Sequence, residues 1–128
     1  MKHKTIQVVL CEPGKASRIT SIDNTLHAMQ LAVGGGIKAI YPFDDPVAIF
    51  CNEDGKVNGT ELNRALREEN GRIYDIIAGT FLVVGLGKEN FDELSGEYLE
   101  KYKELFESPE VFLCIHEEIL AIPINVEV

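Results

Sequence analysis

The hydrophobic positions of this chain fall into short apolar runs, each cut by glycine, proline, asparagine or aspartate. Ile6 to Cys11 is one such run, ended by Glu12-Pro13-Gly14, and it predicts a first β-strand. Ser17 to Ser21 predicts a second, short one. Ile22, Leu26, Met29 and Val33 then recur at steps of four, three and four, the stripe of an amphipathic helix. Asp23 or Asn24 would cap its start, and Gly34-Gly35-Gly36 would end it with a left-handed residue. Ile37 to Tyr41 and Val47 to Cys51 read as strands on either side of Pro42-Phe43-Asp44-Asp45-Pro46.

Past the turn residues Asn52-Glu53-Asp54-Gly55 and Asn58-Gly59, Thr60 is placed to cap a short helix through about Glu68. Asn70-Gly71 turns the chain into a weak strand over Arg72 to Asp75. Thr80 to Val84 is apolar after its first residue, which predicts a central strand buried on both faces. Ser95 would cap a second long helix with Leu99, Tyr102 and Phe106 inward, Leu105 beside them and Glu97 paired with Lys101; Pro109 stops it. Val111 to Ile115 and Ile119 to Val126 read as a strand pair joined at His116-Glu117-Glu118, with Pro123 marking an edge. The expectation is a single α+β domain: a mixed, mostly antiparallel sheet with two main helices and one short helix.

Composition adds little to the fold and more to the function. The chain has 128 residues, 45% of them hydrophobic and 26% charged, an ordinary balance for one globular domain. No apolar run reaches the length of a bilayer span or a signal segment, so a cytoplasmic protein is expected. Cys11, Cys51 and Cys114 lie far apart within apolar runs, which reads as three reduced, buried thiols. The net charge is −9, and its placement matters more than its size. Residues 1–88 carry ten basic and ten acidic side chains; residues 89–128 carry Lys101 and Lys103 against eleven acids. Such a field repels phosphate backbones and attracts basic surfaces, which argues against direct nucleic-acid binding.

The usual chemical motifs are weak. With Gly55 at the sixth position of a calcium loop, Asn52, Asp54, Asn58 and Glu61 fall at ligand positions, but Phe50 would occupy the first. The glycine clusters lack the strand–loop–helix context of a phosphate cradle. No Gly-x-Ser-x-Gly elbow, Cys-x-x-Cys or His-Glu-x-x-His occurs, so no metal and no cofactor are expected. Cys114 with His116, and Asp44 with Asp45, are the nearest approaches to catalytic pairs; each reads more simply as packing or turn chemistry. The one positive cluster is Arg64, Arg67 and Arg72 with Asn63. On the expected short helix Arg64 and Arg67 would be neighbours, able to grip a small anionic ligand in bidentate fashion.

Several segments recur in order from one family. Glu12-Pro13-Gly14-Lys15, Pro42-Phe43-Asp44-Asp45, Asn52-Glu53-Asp54-Gly55-Lys56, Asn63-Arg64-Ala65-Leu66 and Tyr74-Asp75-Ile76-Ile77-Ala78-Gly79-Thr80-Phe81 resemble the family of domain of unknown function 3846. The resemblance covers about residues 5–107, and the strand pair at about 110–126 matches less clearly. It implies a protein of phages, plasmids and other mobile elements of Gram-positive bacteria, in an accessory role. It implies no catalytic residue. Asn63-Arg64 and Gly79-Thr80-Phe81 would be its signature positions.

Three functional expectations follow. The first is a non-enzymatic protein, in counter-defence for example, docking on a basic host protein through Glu97, Glu100, Glu104 and Glu107. The second is a small-molecule or nucleotide binder using Asn63, Arg64, Arg67 and Arg72. The third is an enzyme with Asp44 or Asp45 as base. The apolar edge strand at Ile119 to Val126 also invites a homo-oligomer.

Overall fold

The computed structural model describes residues 5–56, 59–87 and 91–124. Among them are ten strands and two helices. The strands are β1 (Thr5–Cys11), β2 (Arg18–Asp23), β3 (Ile37–Ile40), β4 (Val47–Asn52), β5 (Leu62–Arg67), β6 (Ile73–Ala78), β7 (Phe81–Leu86), β8 (Phe91–Asp92), β9 (Glu110–Ile115) and β10 (Glu118–Pro123). The helices are α1 (Leu26–Val33) and α2 (Gly96–Leu105).

The main sheet runs β2-β1-β7-β4-β3, with β8 added to β7, and every pairing in it is antiparallel. Two separate hairpins, β5-β6 and β9-β10, complete the structure. As the apolar run at Thr80 to Val84 predicts, β7 is central. Side chains alternate between the faces of a strand, and both faces of this sheet are buried. Ile6, Val8, Ala48, Phe50, Leu82 and Val84 pack with Met29 and Val33 of α1. Val9, Val47, Ile49, Phe81 and Val83 pack on the other face with Leu99 and Tyr102 of α2, Phe106 beyond it, and Leu66 and Ile77 of the β5-β6 hairpin. Fully burying a side chain of this size stabilises the fold by roughly 1.5–3 kcal/mol. The helices are short, and helices of such length are marginal in isolation, so packing on the sheet is what holds them.

The expected α+β domain with two main helices and one short helix is corrected by this arrangement. Strands make up 48% of the described residues and helices 16%, a β-rich and mostly antiparallel fold. The short helix expected from Thr60 to Glu68 is absent, and β5 stands in its place. Leu62, Ala65 and Leu66 have helical spacing, but β5 buries Asn63, Arg64, Ala65 and Leu66 in succession. A strand enclosed on both faces has no period of two to read, and its polar residues are satisfied by each other and by carbonyls outside the strand.

Smaller corrections share one cause, local capping and packing. Thr25, one residue beyond Asn24, caps α1, its hydroxyl accepting the Ala28 N–H at 3.1 Å. Ile22 lies on β2, and Leu26 is 64% exposed, so the inward stripe of α1 is narrower than the spacing implies. Gly34 ends α1 in the left-handed region at φ 82°, as expected.

Candidate functional site

The N-terminal turn, β5 and the end of α2 meet at Arg64. Its side chain is 1% exposed. Nε donates to the Phe106 carbonyl at 3.0 Å and Nη2 to the Lys15 carbonyl at 2.6 Å. Nη1 donates to Asn63, to the side-chain oxygen at 2.6 Å and the carbonyl at 3.3 Å. Asn63, fully buried, donates in turn to the carbonyls of Cys11 (3.0 Å) and Gly79 (2.8 Å). One buried cation is thus held by neutral oxygens from three parts of the chain, and burial lowers its pKa. Burial likewise pushes the neighbouring Cys11 thiol up to about 12, against the opposing pull of Arg64.

Asn63 and Arg64 therefore hold the fold together and present nothing to solvent. The second signature segment is structural in the same way. Gly79 has φ 79°, a conformation that favours glycine, and a Cβ there would come within 2.8 Å of the Thr60 methyl. Phe81 is buried edge-on against Phe106, with ring centroids 5.1 Å apart.

The four residues of the expected anionic-ligand site do not form a common surface. In a strand, Arg64 and Arg67 are separated by roughly 10 Å along the chain, where a helix would make them neighbours. Arg67 donates to Glu110 Oε1 at 2.5 Å and to the Ala121 carbonyl at 3.3 Å. Arg72 is exposed at the β5-β6 turn.

A cleft of about 530 Å³ opens between the Pro42–Pro46 loop, the β5-β6 hairpin and α2. Phe43 fixes the loop to α2 by packing at a tilt against Tyr102, centroids 4.7 Å apart. Asp45 completes the attachment, accepting the Tyr102 hydroxyl at 2.6 Å and an ammonium N–H of Lys101. The bond from Lys101, then that from Tyr102, holds the Asp45 carboxyl below its ordinary range. Burial, reinforced by Asp45, raises the Tyr102 phenol far above its own. Lys101 thus pairs across the cleft with Asp45, where an i,i+4 pair with Glu97 was expected. A carboxylate bound in this way is a poor general base.

The cleft is anionic. Asp44, Asp45, Glu68, Glu69 and Glu110 line it, against Arg67 and Lys101. Both cations are already paired, with Glu110 and Asp45 respectively. Asp44, Glu68 and Glu69 remain as the surplus, and the half-exposed Tyr74 ring stands on the β6 wall. Along α2, Glu97, Glu100 and Glu104 are exposed, as is Glu107 just past its end, and none forms an ion pair with a described residue.

The parts played by Tyr102, Tyr74 and Glu110 are not legible in the sequence pattern alone. The signal for the first was the proline-flanked Phe43-Asp44-Asp45 segment, whose aromatic and acid need partners elsewhere. Of the cysteines, Cys11 and Cys51 are buried as expected, whereas Cys114 is exposed, a correction that follows from the openness of β9. Cys114 sits near the end of β9 and His116 in the turn that follows it. Among the described residues no group of three or more His, Cys, Asp or Glu is placed to hold a metal ion, and no helix is long and apolar enough to cross a membrane.

Compared with known families, residues 6–107 match the model described as Domain of unknown function (DUF3846). No curated protein and no solved structure matches the chain.

Proposed function

The chain belongs to the DUF3846 family, and from that premise we propose that it is a non-enzymatic binding protein that docks on a basic protein surface through α2 and the cleft beside it. The observation that carries this reading is the surplus of carboxylates that form no ion pair with a described residue. Asp44, Glu68 and Glu69 edge a cleft whose own cations are neutralised. Glu97, Glu100, Glu104 and Glu107 extend the negative field along the helix that forms one wall.

A lysine or arginine of the partner would enter the cleft, meeting the carboxylates at its rim and the face of Tyr74. The exposed glutamates outside it would steer encounter more than they add affinity. A nucleotide or other anion is a poor fit to the same cleft, because its phosphate would face the surplus charge. The finer reading is an accessory product of a phage or mobile element, acting in the cytoplasm on a nucleic-acid-handling host protein. Its support is the basic surface that such a host protein carries.

The test is capture from native-host lysate by the tagged protein at low and at high salt, beside two variants. One reverses Glu97, Glu100, Glu104 and Glu107 to Lys; the other reverses Glu68 and Glu69. A basic protein retained at low salt, released at high salt and lost with both variants is the expected result. Capture unchanged by either variant overturns the proposal.

A further inference from the structure

The β9-β10 hairpin departs from the rest of the molecule in what it leaves uncovered. Its register sets Val111 opposite Ile122 and Leu113 opposite Leu120, so these four side chains share one face. By the same alternation Ile115 and Ile124 belong to that face. All six are exposed, between 39% and 47%. The opposite face is the one that carries Glu110, which reaches back to Arg67 and Ala65 of β5. That face is partly covered at Glu110, Phe112 and Ala121 but exposed at Cys114, Ile119 and Pro123, whereas the aliphatic face turned away from the attachment is exposed along its whole length. The aliphatic face's only charged member in the β9-β10 register is Glu118, next to the turn.

The extent of this face identifies its occupant. Six aliphatic side chains exposed to this degree present on the order of 450 Å² of apolar surface, the size of the largest patch on a typical monomer, which is often an interaction site. Two copies of the face buried together give roughly 900 Å² from these side chains alone, close to the threshold of about 1,000 Å² for a specific interface before backbone and rim are added. A basic partner has nothing to pair with in a field of valine, leucine and isoleucine. Another uncharged aliphatic sheet face is its complement, and a second copy supplies one of matching size and twist.

We propose that this protein is a two-fold homodimer in which the open faces of two β9-β10 hairpins pack on each other. Two sheets packed in this way lie about 10 Å apart. With the hairpins antiparallel, the Glu117-Glu118 turns fall at opposite ends of the interface, where their like charges stay separated. A two-fold contact of this kind closes on itself and leaves no apolar surface to propagate.

The test is the mass of the purified full chain by light scattering and sedimentation from low-micromolar concentration upward. Two variants accompany it: Leu113→Glu with Leu120→Glu, and Ile122→Lys alone. Circular dichroism confirms that each is folded; the substituted side chains lie outside the core. The expected result is twice the chain mass for the wild type and a fall to one chain mass for both variants. A wild type that stays monomeric at the highest concentration overturns the proposal, and so does a dimer that survives in both folded variants. Neither readout depends on α2 or the cleft, so the docking proposal stands or falls separately.

Discussion

Arg67 and Glu110 form the clasp that ties the C-terminal hairpin to β5. Arg67 Nη2 donates to Glu110 Oε1 at 2.5 Å, and the other carboxylate oxygen accepts the Ala65 N–H at 3.0 Å. The Glu110 side chain is only 5% exposed and that of Arg67 35%. One carboxylate thus satisfies a strand N–H and supplies the counter-charge to a cation whose other acceptor is the Ala121 carbonyl. Glu110→Ala leaves the Ala65 N–H without its acceptor and Arg67 with only the Ala121 carbonyl, and should lower stability by about 2–4 kcal/mol. Arg67→Ala should cost at least as much, because it leaves the Glu110 carboxylate, the more buried member of the pair, without its counter-charge. Urea unfolding midpoints check the order.

Arg64 should be less replaceable than any other charged residue among those described. Arg64→Met removes the donors to Phe106, Lys15 and Asn63 together and leaves buried oxygens unpaired, a loss of about 3 kcal/mol or more. Arg64→Lys should recover little, because a single ammonium lacks the planar fork that reaches three directions at once. Thermal unfolding of the two variants should show similar, large falls in Tm. A lysine variant of wild-type stability would contradict the assigned role.

The Asp45–Tyr102 bond makes stability depend on pH at both extremes. Asp45 is held below its ordinary value of 3.8 by Lys101 and Tyr102, so its contribution is present above that value and is lost as pH falls through the lower, folded one. Tyr102 is raised above 10 by burial and by Asp45, so its contribution is present below pH 10 and is lost above it, where the unfolded chain ionises first. Asp45→Asn should flatten the acid limb, and Tyr102→Phe the alkaline limb. Denaturation midpoints across the pH range, with tyrosinate absorbance for the phenol, measure both.

The three thiols should divide one to two. Cys114 is exposed and Cys11 and Cys51 are buried, with Cys11 pushed up to about 12 by burial and Cys51 raised for the same reason. A thiol reagent should modify one cysteine per chain promptly in the native protein and all three only on unfolding. Cys114 pairs with Ile119, on the hairpin face opposite the aliphatic one, so dimerisation should leave its rate unchanged.

The chain alone specified its strongest strands and its turns. β1, β4 and β7 are legible because apolar runs bounded by Pro13-Gly14, Asn52-Asp54-Gly55 and Gly79 admit few other structures, and α2 because Leu99, Tyr102 and Phe106 keep one face of a helix. The acidic C-terminal third was equally plain, since charge needs no fold to be counted. Only tertiary structure decided β5, because Leu62, Ala65 and Leu66 satisfy the spacing of a helix and of a doubly buried strand alike. It alone turned Asn63 and Arg64 from a candidate anion site into an internal brace, since the oxygens that hold Arg64 come from residues 15, 63 and 106. It also left the aliphatic face of β9-β10 open: alternation shows which residues share a face, but whether that face is covered depends on what the rest of the chain can reach.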